Sequence, residues 1–60
     1  MTSAEIAVGC YRGPRQKLLW AVGIVAETAT GRDLVYLRGR RAKETEMYLD
    51  DFATWARERV

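Results

Sequence analysis

Apolar and polar positions alternate through most of this chain, and the period changes only near its end. Ile6, Val8 and Cys10 alternate with Ala7, Gly9 and Tyr11, which predicts a strand over 6–12 with the first set toward a core. Gly13-Pro14 ends it, because proline lacks a ladder donor and the dipeptide favours a turn. The strongest strand is predicted over 18–26. Leu18, Trp20, Val22 and Ile24 share one face, while Leu19, Ala21, Gly23 and Val25 share the other. Apolar side chains on both faces fit a central strand of a curved sheet, and the internal Gly23 predicts a bulge or sharp bend. Residues 28–33 read as a turn, with Gly31 free to take positive φ. A partner strand follows over 34–38, then a loop over 39–43 and a last short strand over 45–49.

After that strand the period becomes helical. Leu49, Phe52, Ala53, Ala56 and Val60 fall on one face, predicting a helix over 51–59 with Asp50 or Asp51 as its N-cap. Arg57 and Arg59 suit the negative end of its dipole. A helix of about two to three turns is marginal alone, so its Phe52/Trp55 side is expected to dock on the sheet. Trp20 and Trp55 both read as core residues, although a homodimer would use the same anchors. Thr2 to Glu5 formally matches a capping box, but the β-like alternation that follows makes it read as a frayed end. Strands followed by one helix argue for an antiparallel meander, mainly β with α, rather than a parallel βαβ layout.

Length limits what such a pattern can hold. Sixty residues make one domain, 1–60, near the lower limit for folding unaided. Cys10 is the only cysteine and there is no histidine, which leaves no intrachain disulfide and no Cys/His zinc set. Support must come from a packed core or from self-association. The lone thiol, the absence of a long apolar stretch and an N-terminus without a cationic segment lead us to expect a cytoplasmic protein that is not membrane-bound.

Charge is unevenly spread. From 11 to 43 there are eight cations against Glu27 and Asp33, a balance of +6. From 44 to 60 there are five acids against Arg57 and Arg59, a balance of −3, and Glu5 brings the net to +2. This asymmetry has two readings, a binding surface or an acidic tail that neutralises basic strands.

Catalytic equipment is sparse. Histidine is absent, Ser3 is the only serine, and Cys10 has no apparent activating partner and reads as a small core residue. Asp50-Asp51 as a cation site or acid–base pair is outweighed by the helix-cap reading. None of the common phosphate-loop, dinucleotide or zinc motifs occurs. We therefore expect no enzyme, no cofactor and no metal.

What remains is Arg38-Gly39-Arg40-Arg41-Ala42-Lys43, four cations in six residues after the apolar run ending at Leu37. The candidate binding residues are Arg38, Arg40, Arg41 and Lys43, joined by Arg12, Arg15 and Lys17 if both loops share an end. Tyr36 or Tyr11 adds a stacking face. Such a patch fits DNA or RNA bound through phosphates with low sequence specificity. An acidic protein partner, as for an interaction module or a phage-type inhibitor, fits it equally, and a merely solubilising loop is the third reading.

Val8-Gly9-Cys10-Tyr11-Arg12, 19–25, Leu34-Val35-Tyr36 and 46–52 together resemble a group of small uncharacterised bacterial and phage proteins. The resemblance covers most of the chain, on apolar positions and a few glycines. It implies a small SH3-like antiparallel barrel of three to five strands with a short C-terminal helix, and a bacterial or mobile-element origin. The sequence departs from the group at Gly13-Pro14-Arg15-Gln16-Lys17 and at 40–45, and the group has no activity to carry over.

Overall fold

The computed structural model describes residues 1–27, 29–41 and 43–60. Thr28 of the predicted turn and Ala42 of the basic loop lie outside the described residues. Five strands form one open antiparallel sheet in the order β4-β3-β2-β1-β5. They are β1 (Gly9–Arg12), β2 (Leu18–Glu27), β3 (Arg32–Arg38), β4 (Glu44–Tyr48) and β5 (Glu58–Arg59), with helix α1 (Leu49–Trp55) between the last two. The chain is thus α+β, as its pattern predicts, with β4 and β5 as the sheet edges.

Within β2, alternation breaks at a β-bulge between Ala21 and Gly23. Leu19 and Ala21 point to the core before the bulge, and Ile24 packs against it afterwards. The bulge inserts one residue and so shifts the parity of every position beyond it. That is why the strand reads as apolar on both faces. Trp20, Val22 and Val25 are left exposed on the outer face, so Trp20 is not the core residue its surroundings predict.

The core lies on the other face and under α1. Tyr11 and Phe52 are fully buried, their rings edge to face at 5.4 Å, with Val35, Leu37, Ala21 and Ala53 around them. Burying a phenol demands a partner for its hydroxyl. The Tyr11 hydroxyl donates to the Ala7 carbonyl and accepts from the Ala7 N–H, both at 2.9 Å. This places Tyr11, rather than Val8 and Cys10, on the core side: Val8 is exposed, and Cys10 is half-buried beside Trp20, its pairing partner. Tyr11 is therefore unavailable for stacking on a ligand.

The C-terminal segment differs from the continuous helix predicted over 51–59. Helix α1 begins at Leu49 and ends at Trp55, with Tyr48 in the N-cap position but making no side-chain cap bond, so neither Asp50 nor Asp51 is the N-cap. Both sit in its first turn, where a negative charge favours the dipole. The chain then extends: Arg57 N–H donates to the Arg12 carbonyl at 2.8 Å, and Val60 N–H to the Cys10 carbonyl at 3.0 Å. Pairing with the free edge of β1 satisfies more backbone groups than another exposed helical turn would. The first residues are ordered too. Ser3–Glu5 form a 3-10 turn, and the Met1 ammonium donates to the carbonyls of Ala53 and Ala56 at the helix end.

Candidate binding cleft

The predicted binding residues separate into two sets. Arg12 in β1 faces Glu58 in β5 and forms an ion pair with it. Arg38 in β3 lies opposite Glu44 in β4, its Nη2 3.0 Å from Oε1. Arg32, which was not among the predicted candidates, places its guanidinium 3.9 Å from the centre of the Tyr48 ring and 4.0 Å from the Asp51 carboxylate. Three strand cations are therefore matched to acids of the C-terminal segment, Arg12 and Arg38 by strand register and Arg32 by the adjacent helix. Among the described residues, no ion pair engages Arg15, Lys17, Arg40, Arg41 or Lys43. All five are exposed and lie in the two connections β1–β2 and β3–β4.

Those connections come together. Arg15, Lys17 and Arg40 line one cleft of about 550 Å³ whose other walls are Gln16, Leu18, Leu19, Gly39 and Trp55. A smaller hollow of about 280 Å³ adjoins it on the outer face, lined by Trp20, Arg38, Gly39 and Arg40. Gly39 and Arg40 border both. Arg15 and Lys17 thus share an end of the molecule with Arg40. Arg12 lines neither hollow, and neither do Arg41, Lys43 and Tyr36. Tyr36 lies on the outer face, exposed and two residues from Arg38 along β3.

Local chemistry shapes the cleft. Pro14 opens a 3-10 turn, Pro14–Gln16, closed by the Lys17 N–H donating to the Pro14 carbonyl at 3.3 Å. Gly13 N–H in turn donates to the Lys17 carbonyl at 2.8 Å. To fit between these bonds, Arg15 and Gln16 take left-handed φ of 61° and 63°. For residues with a Cβ that conformation costs about 1–2 kcal/mol each. Gly13 is required for a different reason: a Cβ there would fall 2.3 Å from the Trp55 ring. The indole lies flat over this position and stacks on Phe52 at 5.6 Å with an interplanar angle of 21°. Trp55 is therefore a fixed wall of the cleft. Across from it, the Gly39 N–H donates to the Lys43 carbonyl at 3.0 Å and closes the β3–β4 loop that carries Arg40.

The sequence marked these cations but not the indoles beside them. Trp55 packs against the core as expected, through Phe52, and also walls the cleft, whereas Trp20 is exposed rather than core. No group of three or more His, Cys, Asp or Glu side chains that could hold a metal ion occurs among the described residues. No helix among them is long and apolar enough to cross a membrane. No family model matches the sequence, and no curated protein or solved structure matches the chain.

Proposed function

We propose that this chain is a non-enzymatic binding module that engages nucleic acid, DNA or RNA, through the cations of its two loops with little sequence specificity. The observation that carries the reading is the convergence of Arg15, Lys17 and Arg40 on one cleft, without carboxylate partners among the described residues. Unpartnered cations grouped at one end keep their full attraction for a polyanion, and phosphate contacts of this kind supply sequence-independent affinity. A cytoplasmic setting and a bacterial or phage origin belong to the same proposal. So does the SH3-like barrel, which this sheet would form if β4 closed against β5. The supporting feature is the meander β1 to β4 with the last strand returning to β1.

An acidic protein surface is the competing partner, favoured by exposed Val22, Val25 and Tyr36 on the outer face. The two readings separate in a gel shift at low salt with DNA and RNA, followed by capture from lysate with and without nuclease. Binding is expected in the gel shift, and Arg40→Ala/Arg41→Ala is expected to flatten the salt slope by about one per lost phosphate contact. Absence of any shift at low salt, with a protein partner retained after nuclease, would replace the nucleic-acid reading by the protein one.

A further inference from the structure

We infer that the two hollows meeting at Arg40 select single-stranded over duplex nucleic acid, with an unpaired base stacked on Trp20. This inference rests on the reading of the loops as a nucleic-acid site and specifies what that site distinguishes. Phosphates alone need only cations. Here each hollow combines a cation with an indole and, in the larger one, with Leu18 and Leu19. The larger volume, about 550 Å³, lies within the range of about 300–1,000 Å³ typical of pockets that enclose small molecules. A paired base keeps its faces inside the duplex stack, so apolar walls give it nothing. An unpaired base offers a flat face to an aromatic ring while its phosphates reach neighbouring cations, the pattern of single-strand grooves.

Trp20 is the residue placed to do this. It is 37% exposed on the outer face and stands directly opposite Arg38 in the β2–β3 register. Arg38 also lines the Trp20 hollow, while its guanidinium is engaged by Glu44 of β4. Arg40 then borders both the Trp20 hollow and the Trp55 cleft, which Arg15 and Lys17 also line. The order along this end is indole, shared cation, indole wall, cations. Trp55, fixed between Gly13 and Phe52, shapes the path, whereas Trp20 is 37% exposed and lines the smaller hollow.

The experiment measures binding of a short labelled oligothymidylate by anisotropy at low salt. A mixed-sequence duplex, inorganic polyphosphate and poly-glutamate serve as competitors. Oligothymidylate should bind more tightly than any competitor, with quenching of tryptophan emission. Trp20→Ala should weaken it about 5- to 150-fold, the range for one stacked base. Trp20→Phe should restore most of that affinity, because a ring face remains. Unchanged polyphosphate binding by Trp20→Ala shows that the phosphate contacts are kept, and a cooperative thermal melt checks that the variant is folded. If oligothymidylate and duplex bind equally and Trp20→Ala changes neither, the single-strand inference is overturned while the phosphate-binding reading survives. Poly-glutamate matching oligothymidylate would overturn it in favour of an acidic polypeptide. Failure of every nucleic acid and of polyphosphate to bind would remove the proposed function and this inference together.

Discussion

Arg12, Arg32 and Arg38 differ from Arg15, Arg40 and Arg41 in setting, not in chemistry. The first three lie in strands, where antiparallel register or the adjacent helix brings an acid of the C-terminal segment within 4.0 Å. The second three lie in the β1–β2 and β3–β4 connections, which no acidic segment crosses among the described residues. A basic run is therefore not one site. The run from Arg38 to Lys43 is divided at the end of β3: its first cation is held by Glu44, and the rest face solvent. The acidic tail and the basic middle thus neutralise each other in part, and the excess is left at one end.

Reversing the unpartnered set should produce the largest effect. Arg15→Glu/Arg40→Glu removes two cations from the cleft. If both contact phosphate, the salt slope should drop by about two and affinity at 0.1 M salt by about 100-fold. The matched reversal Arg12→Glu/Arg32→Glu, read by the same titration, should change the slope far less and lower the melting temperature instead. Equal loss of binding from both pairs would break the distinction.

The next effect tests whether the cleft wall must be rigid. Gly13→Ala places a Cβ against the Trp55 ring and should destabilise the fold by about 1–3 kcal/mol, as overpacking does. Denaturant unfolding measures that cost, and a change in tryptophan emission should accompany it as Trp55 leaves Phe52. Wild-type stability and spectrum would mean that the close seating of Trp55 on Gly13 is not maintained.

A smaller change converts one class of cation into the other. Glu44→Gln releases Arg38, a residue that lines the Trp20 hollow. Exposed pairs are worth at most about 1 kcal/mol, so stability should fall by no more than that. The salt slope for nucleic acid should steepen by up to about one as Arg38 becomes available. A flatter slope would mean that Glu44 positions Arg38 for binding rather than occupying it.

Much of this arrangement was legible in the sequence, and the rest fails for identifiable reasons. Alternation located β2, β3 and β4, Gly23 marked the bulge, and Gly31 takes a φ of 71° in the turn where positive φ was expected. The periodic face of Leu49, Phe52, Ala53 and Ala56 is buried as expected. What alternation could not carry was parity. The bulge exchanges the faces of Ile24 and Val25 beyond it, whereas Trp20, ahead of the bulge, was assigned to the core although its strand offers apolar side chains to both faces. Val60 matched the helical period by coincidence, because the chain leaves the helix after Trp55 to pair with β1. The convergence of Arg15, Lys17 and Arg40 depends on how β1, β2 and β3 align, a long-range property that local composition does not encode.

Glu5 offers a third setting for a charge and the smallest expected effect. Its carboxylate has no cation partner among the described residues but accepts from the Thr2 N–H at 3.0 Å and the Thr2 hydroxyl at 2.9 Å. The backbone bond first, then the hydroxyl, holds its carboxyl below the ordinary value of 4.5. A carboxyl depressed in the folded state stabilises the fold above its unfolded value, and that contribution fades as pH falls through the folded one. Thermal melts of wild type and Glu5→Gln should therefore differ most near neutrality and converge as the pH drops below about 4.5. The gap should be small because the group is exposed to solvent. A gap that instead widened on acidification would mean the carboxyl is not depressed in the fold, and no gap at any pH would mean the Ser3–Glu5 turn is held by other contacts, among them Ser3 donating to Asp50 at 2.6 Å. In either case a charge satisfied by its own backbone should leave nucleic-acid binding untouched, so Glu5→Gln is the natural control for every substitution in the cleft.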